Sequence, residues 1–259
     1  MTIKGFLTAA LAATMLAACG GGGGGGATPA PPPPALTPAN TANPAFLPLA
    51  NGNAWTMQSG KITDIGLITL VCSCPINNKQ VERVNLTASD GTFAGALYFA
   101  KGNWPNAPYA GHHVTYLVGV RTATATGITP AYQSADGTIP GFPVMDDAPV
   151  ANETFSFAAM NPPDSSVVTM QSVGGTQAYG VNQVINSIAT AALTQAGSTA
   201  TFSFAQGVGF TNFNSGTTTN VLVAFAIDAV NSKSVAGNAS ESMTGGNAAS
   251  ALRSVLDRF

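Results

Sequence analysis

Apolar and polar residues alternate along much of the chain. From Leu67 to Cys74 the even positions, Ile68, Leu70, Cys72 and Cys74, share one face of an extended segment. Val84, Leu86 and Ala88 oppose Arg83, Asn85 and Thr87 in the same way. Ser89-Asp90-Gly91-Thr92 follows, and Asp-Gly between two alternating runs predicts a tight hairpin. The return strand, Thr92 to Ala100, places Phe93, Leu97 and Phe99 on one side. His113 to Thr122 gathers Val114, Tyr116, Val118 and Val120. These segments predict an antiparallel meander. Strand signals resume at Thr154–Ala158, Val167–Val173 and Thr199–Ala205. Val221–Val230 is apolar at both parities, as expected of a covered central strand. Between the two sets, Ala123–Val150 is rich in Gly, Pro and Asp and contains a second Asp-Gly, Asp136-Gly137. It reads as a long loop or a weak boundary.

Two stretches change period. Gln183–Gln195 carries Val184, Ile188, Ala191, Ala192 and Gln195 near helical spacing, with Asn182 before it and Gly197 after it as caps. Asn247–Phe259 is clearer: Ala248, Ala251, Leu252, Val255, Leu256 and Phe259 form one stripe, while Arg253, Asp257 and Arg258 face away. The predicted fold class is therefore mainly β: a meander, sandwich or barrel-like sheet with one internal helix and a C-terminal amphipathic helix. Phe259 is terminal, as in many outer-membrane barrels, but it belongs to a helical stripe rather than a strand.

The first nineteen residues are of another kind. Lys4 is followed by an apolar run, Phe6 to Leu16, too short to span a bilayer. Leu16-Ala17-Ala18-Cys19 resembles the lipobox of bacterial lipoproteins. The resemblance implies that residues 1–18 are a cleaved signal peptide and that Cys19 carries a diacylglyceryl group on sulfur and an acyl group on its new amino terminus. Several acyl chains together make a stable anchor, where one alone does not. Gly20, rather than Asp, after the cysteine is similar to outer-membrane sorting. Gly20–Gly26 cannot bury side chains, and the prolines that follow favour extended conformations. Residues 19–45 are thus expected to form a tether of roughly 27 residues, reaching ~90 Å if extended, that holds a folded part, 46–259, off a lipid surface. A glycine-rich tether after such an anchor is similar to surface-displayed lipoproteins that present β-barrel receptor domains. Leu47-Pro48-Leu49 through Gly52-Asn53-Ala54-Trp55 resembles an opening segment of several bacterial lipoproteins and transfers no chemistry.

Composition narrows the partners. Charged residues are 8% of the 259-residue chain and the formal net charge is −2, against about 25% charged in typical soluble proteins. Such a surface lacks the basic patch that nucleic-acid binding requires. There is no GxSxG elbow and no HExxH helix, so no catalytic residue, resident metal or cofactor is assigned. Cys72 and Cys74, on one strand face with Ile68 and Leu70, can form a disulfide, stay as buried thiols, or bind a soft metal with a histidine. His112-His113 are the only histidines, so any metal or hydrolytic scheme must use them. By parity His112 faces inward with Val114, and His113 outward with Thr115 and Arg121. The loop Lys101–His113 carries Trp104, Tyr109, His112 and His113, whose apolar faces and polar edges suit a glycan or a protein anchor. Asp146-Asp147 offer paired carboxylates, but no regular oxygen-ligand spacing surrounds them and they read as a solvated turn.

The sequence thus points to a lipid-anchored envelope protein, at the outer membrane, on its periplasmic face or the cell surface. Its β-rich domain acts by binding or as structure. Two alternatives stay open: a periplasmic metal-handling protein using Cys72, Cys74 and His112-His113, and an envelope hydrolase.

Overall fold

Residues that alternate in polarity form strands because each strand can then bury one face. The structure is a computed structural model that describes residues 37–38, 45–227 and 236–259. The leader 1–18, Cys19, most of the tether and residues 228–230 lie outside the described residues. Thr37–Pro38 (β1) falls within the segment expected as tether. The first meander comprises β2 (Ala54–Met57), β3 (Gly60–Val71), β4 (Gln80–Ala88), β5 (Phe93–Asn103) and β6 (His113–Thr122). The Asp90-Gly91 turn joins β4 to β5 as expected, with Gly91 at φ 86°. β7 (Thr129–Pro130) and β8 (Phe142–Asp146) both pair with the far edge of β6. The second meander runs β9 (Thr154–Ser156), β10 (Val167–Tyr179), β11 (Gln183–Gln195), β12 (Ser198–Ala205), β13 (Gly209–Asn214) and β14 (Thr219–Ala226). β14 pairs with β2, Phe225 opposite Trp55, and so fuses the two meanders.

Among the described residues the result is one 15-stranded sheet in the order β7-β6-β5-β4-β3-β2-β14-β13-β12-β11-β10-β9. Pairing is antiparallel except where β1 meets β11 and where β15 (Ala236–Ser242) meets β3. The path is open, since β7 and β9 do not pair with each other. It is also strongly curled. β5 and β13 are five strands apart along the path, roughly 24 Å in a flat sheet. Yet the rings of Phe99 and Phe210 lie 6.0 Å apart. The sheet wraps around one core, in which Trp55, Phe99, Phe142, Phe155, Phe157, Phe204 and Phe210 are fully buried. Each such side chain contributes about 2–3 kcal/mol of burial free energy. Trp55 is further fixed by its Nε1, which donates to Val208 O at 2.6 Å. Gly209, at φ 93°, has no room for a Cβ against that indole.

The C-terminal helix α1 (Ala248–Leu256) is present, with Asn247 Oδ1 accepting from Ser250 N at 2.9 Å. Its stripe, Ala248, Ala251, Leu252, Val255 and Leu256, is buried, and Phe259 packs on Phe213. A Cβ on Gly95 would come within 2.5 Å of Val255, so the missing side chain is what seats the helix against β5. Among the described residues no helix is long and apolar enough to cross a membrane.

Several local expectations change. The internal helix is absent: Gln183–Gln195 is β11, paired along both edges with β10 and β12. Ser187, at φ 53°, interrupts its alternation, so Ile185 and Ile188, three apart, both point inward and imitate helical spacing. Gly197, read as a helix cap, instead follows Ala196 in a turn where both φ values are positive, 49° and 76°, and Gln195 pairs with Ser198. β3 ends at Val71, so Cys72 and Cys74 sit in the turn after it. Phe142–Asp146, inside the expected loop, is a strand buried along its whole length. β14 is not covered on both faces, for Val223 is 55% exposed.

On the face of β4–β6 opposite the core, Glu241 of β15 binds Arg83 Nη1 at 2.6 Å and Arg121 Nη1 at 3.1 Å. It also accepts from Tyr98 OH at 2.6 Å. Tyr98 is thereby covered, and burial drives its hydroxyl pKa far above the ordinary range.

Candidate functional site

The loop between β5 and β6 is tied at its base. Trp104 N donates to His112 O at 2.8 Å, Gly111 N to Trp104 O at 2.7 Å, and His112 N to Tyr109 O at 3.0 Å. These bonds turn the chain back in nine residues and fix which side chains point where. Trp104 turns into the core, 2% exposed, edge-on to Phe155 and Phe157. Tyr109 remains half-buried, with its ring 5.2 Å from Phe155 and 5.6 Å from His112. Its hydroxyl oxygen accepts from Thr154 N at 3.3 Å.

Register brings the histidines to the aspartates. Val114 on β6 pairs with Asp146 on β8, and Asp147 N donates to His113 O at 2.9 Å. Successive strand residues point to opposite faces. His112 therefore meets Asp146 on one face, Nδ1 to Oδ2 2.5 Å, and His113 meets Asp147 on the other at 2.7 Å. The inner pair gains a third member that sequence reasoning missed. Glu153 is returned to it by the turn 147–153 and held by β10, since Met170 N donates to Glu153 O at 2.8 Å. Its Oε1 lies 3.3 Å from His112 Nδ1.

This cluster is nearly dry on its acidic side. Asp146 and Glu153 side chains are 1% and 0% exposed, whereas His112 is 33% exposed. Asp146 is thus not the solvated turn residue that its sequence context suggested. Burial, with the adjoining Asp146 carboxylate, pushes Glu153 up to about 7. The hydrogen bond to Asp146 raises His112, a change favouring the charged ring. One signal in the sequence could have found Glu153: in a chain with 11 acidic residues, one stands directly before the alternating Thr154–Phe157 strand.

Cys72 and Cys74 are joined to each other, Cα to Cα 5.2 Å. The one group of three potential metal ligands among the described residues, His112, Asp146 and Glu153, contains neither.

Two clefts adjoin the loop. One, of about 360 Å³, is lined by residues including Pro108, Tyr109, Thr154, Phe155, Ser156 and Met160. The other, of about 420 Å³, is lined by residues including Pro105, Ser134, Asp136, Thr138, Ile139 and Asn161. They share Asn106, Ala159 and Met160. Asp136 is fixed by Ser134 and Thr138, whose hydroxyls donate to Oδ1 at 2.6 and 2.8 Å. Those bonds hold its carboxyl at about 2.

No known protein family, characterised protein or solved structure matches the chain.

Proposed function

We propose that this is a lipid-anchored bacterial envelope protein whose β-rich domain, held off the outer membrane by the Gly/Pro tether, binds a glycan along the outer edge of the β5–β6 loop. The anchor and its compartment rest on the lipobox-like Leu16–Cys19. The observation that carries the binding reading is the pair of adjoining clefts. Their walls combine one accessible aromatic ring, Tyr109, with uncharged hydrogen-bonding groups, Asn106, Ser134, Thr138, Ser156 and Asn161. Sugar rings present apolar faces for stacking and hydroxyls for such groups. Trp104, 2% exposed, contributes to the wall of the 360 Å³ cleft as well as to the core, and His113 is not among the lining residues of either cleft.

The test is a glycan array that includes cell-wall and lipopolysaccharide fragments, probed with the detergent-solubilised mature protein. Asn106→Ala should weaken capture about tenfold with melting temperature unchanged, and Tyr109→Ala should weaken it as much in a domain that stays folded but melts somewhat lower, having lost the ring packed on Phe155. Capture that survives both substitutions, or no capture of any glycan, overturns the binding assignment and leaves the anchor to be judged separately.

A further inference from the structure

We propose that His112, Asp146 and Glu153 form a binding site for one divalent transition-metal ion of the zinc class, independent of the glycan reading. The donors are one imidazole nitrogen and two carboxylates, a set that zinc accepts while leaving a further position for water or a ligand. Their candidate ligand atoms all lie within 4.8 Å of one another. Bonds of about 2.0–2.2 Å place tetrahedral ligands roughly 3.3–3.6 Å apart, and Glu153 Oε1 is already 3.3 Å from His112 Nδ1. Asp146 Oδ2, at 2.5 Å from that nitrogen, must withdraw by about 1 Å, exchanging a hydrogen bond for a metal bond.

A second observation points to a ligand. Glu153 Oε1 is buried, faces this cluster and has no geometrically sound hydrogen bond, its nearest polar neighbour being His112 Nδ1 at 3.3 Å. Two carboxylates packed together out of water are unfavourable unless a proton or a cation compensates them, and the partly exposed His112 is a single charge facing two. A dication matches a neutral imidazole and two carboxylates. The remaining carboxylate oxygens are already oriented: Asp146 Oδ1 accepts from Ala148 N at 2.8 Å, and Glu153 Oε2 from Val150 N at 3.3 Å. Such outer hydrogen bonds aim metal ligands in known sites. The exposed side of His112 gives the ion a route in. Calcium, which needs six to eight oxygens, is poorly served by this set.

The test is calorimetric titration of the detergent-solubilised, EDTA-treated mature protein with Zn²⁺ and, separately, Ca²⁺. One equivalent of Zn²⁺ should bind, and Ca²⁺ should not. His112→Ala and Glu153→Gln should each weaken Zn²⁺ binding at least tenfold, while His113→Ala binds as the parent does. Because the chain has two histidines, its imidazole NMR spectrum supplies a readout free of folding effects. Zn²⁺ should shift one imidazole, the one that persists in His113→Ala. No Zn²⁺ uptake by the parent protein, a shift confined to His113, or undiminished binding in a folded His112→Ala variant would each overturn the proposal.

Discussion

Asp64 on β3 and Glu82 on β4 place two carboxyl groups in contact beneath the sheet surface, 1% and 8% exposed. Asp64 Oδ1 accepts from Gly66 N at 2.8 Å, while Asp64 Oδ2 and Glu82 Oε2 are buried with no partner outside the carboxyl pair itself. Burial, reinforced by the Asp64 charge, pushes Glu82 from 4.5 up to about 8, and burial raises Asp64 as well. The folded state thus holds a proton on Glu82 that the unfolded chain releases near pH 4.5. Stability from this group is complete below that pH and falls as pH rises through the folded value. A shift of that size corresponds to at most ~5 kcal/mol. Water admitted by the adjoining 250 Å³ cavity screens the pair and reduces the expected loss to about 2–3 kcal/mol. Glu82→Gln keeps the shape and a donor for Asp64 but cannot ionise. Urea unfolding at pH 5, 7 and 9 should show the two proteins within about 1 kcal/mol at pH 5. At pH 9 the variant should be the more stable, by about 2–3 kcal/mol. Curves that stay parallel from pH 5 to 9 would refute the reasoning, because other titrating groups are common to both proteins and cancel.

Three further substitutions probe the architecture. Trp104→Ala should lower stability by about 3–5 kcal/mol in urea unfolding, since Trp104 fills the space between Phe155 and Phe157; a change below 1 kcal/mol would mean that the ring is not packed there. Gly95→Ala should cost about 1–3 kcal/mol and lower the melting temperature, because its Cβ would strike Val255 at 2.5 Å; pairing it with Val255→Ala should restore part of the loss. Glu241→Gln should destabilise by about 2 kcal/mol, leaving Arg83 and Arg121 short of a carboxylate, and hydrogen exchange at Tyr98 should quicken.

What could be read from the sequence depended on whether local pattern matched the environment that decided it. The β4–β5 hairpin was legible because Asp90-Gly91 supplies its own turn geometry. The last helix was legible because its stripe keeps one period from Ala248 to Phe259. β11 was not, because a single residue at positive φ, Ser187, shifts the alternation and leaves a three-residue step between inward side chains. β8 was hidden because Phe142–Asp146, buried throughout, shows no alternation. At the site, parity alone placed His112 inward and His113 outward. The pairing with Asp146 and Asp147 needed the β6–β8 register, and Glu153 needed the turn that folds it back beside them. Trp104 and Tyr109 looked equivalent in sequence, and only packing assigned one to the core and the other to the cleft.

The central claim is that a lipid on the first mature residue fixes where this domain works, and intact-mass measurement of the protein from the bacterial membrane fraction tests it most directly. The expected species begins at Cys19 and carries the added mass of a diacylglyceryl and an amide-linked acyl group, with both additions lost in Cys19→Ser. A membrane-fraction protein whose mass equals that of the bare polypeptide, from any starting residue, would contradict the account.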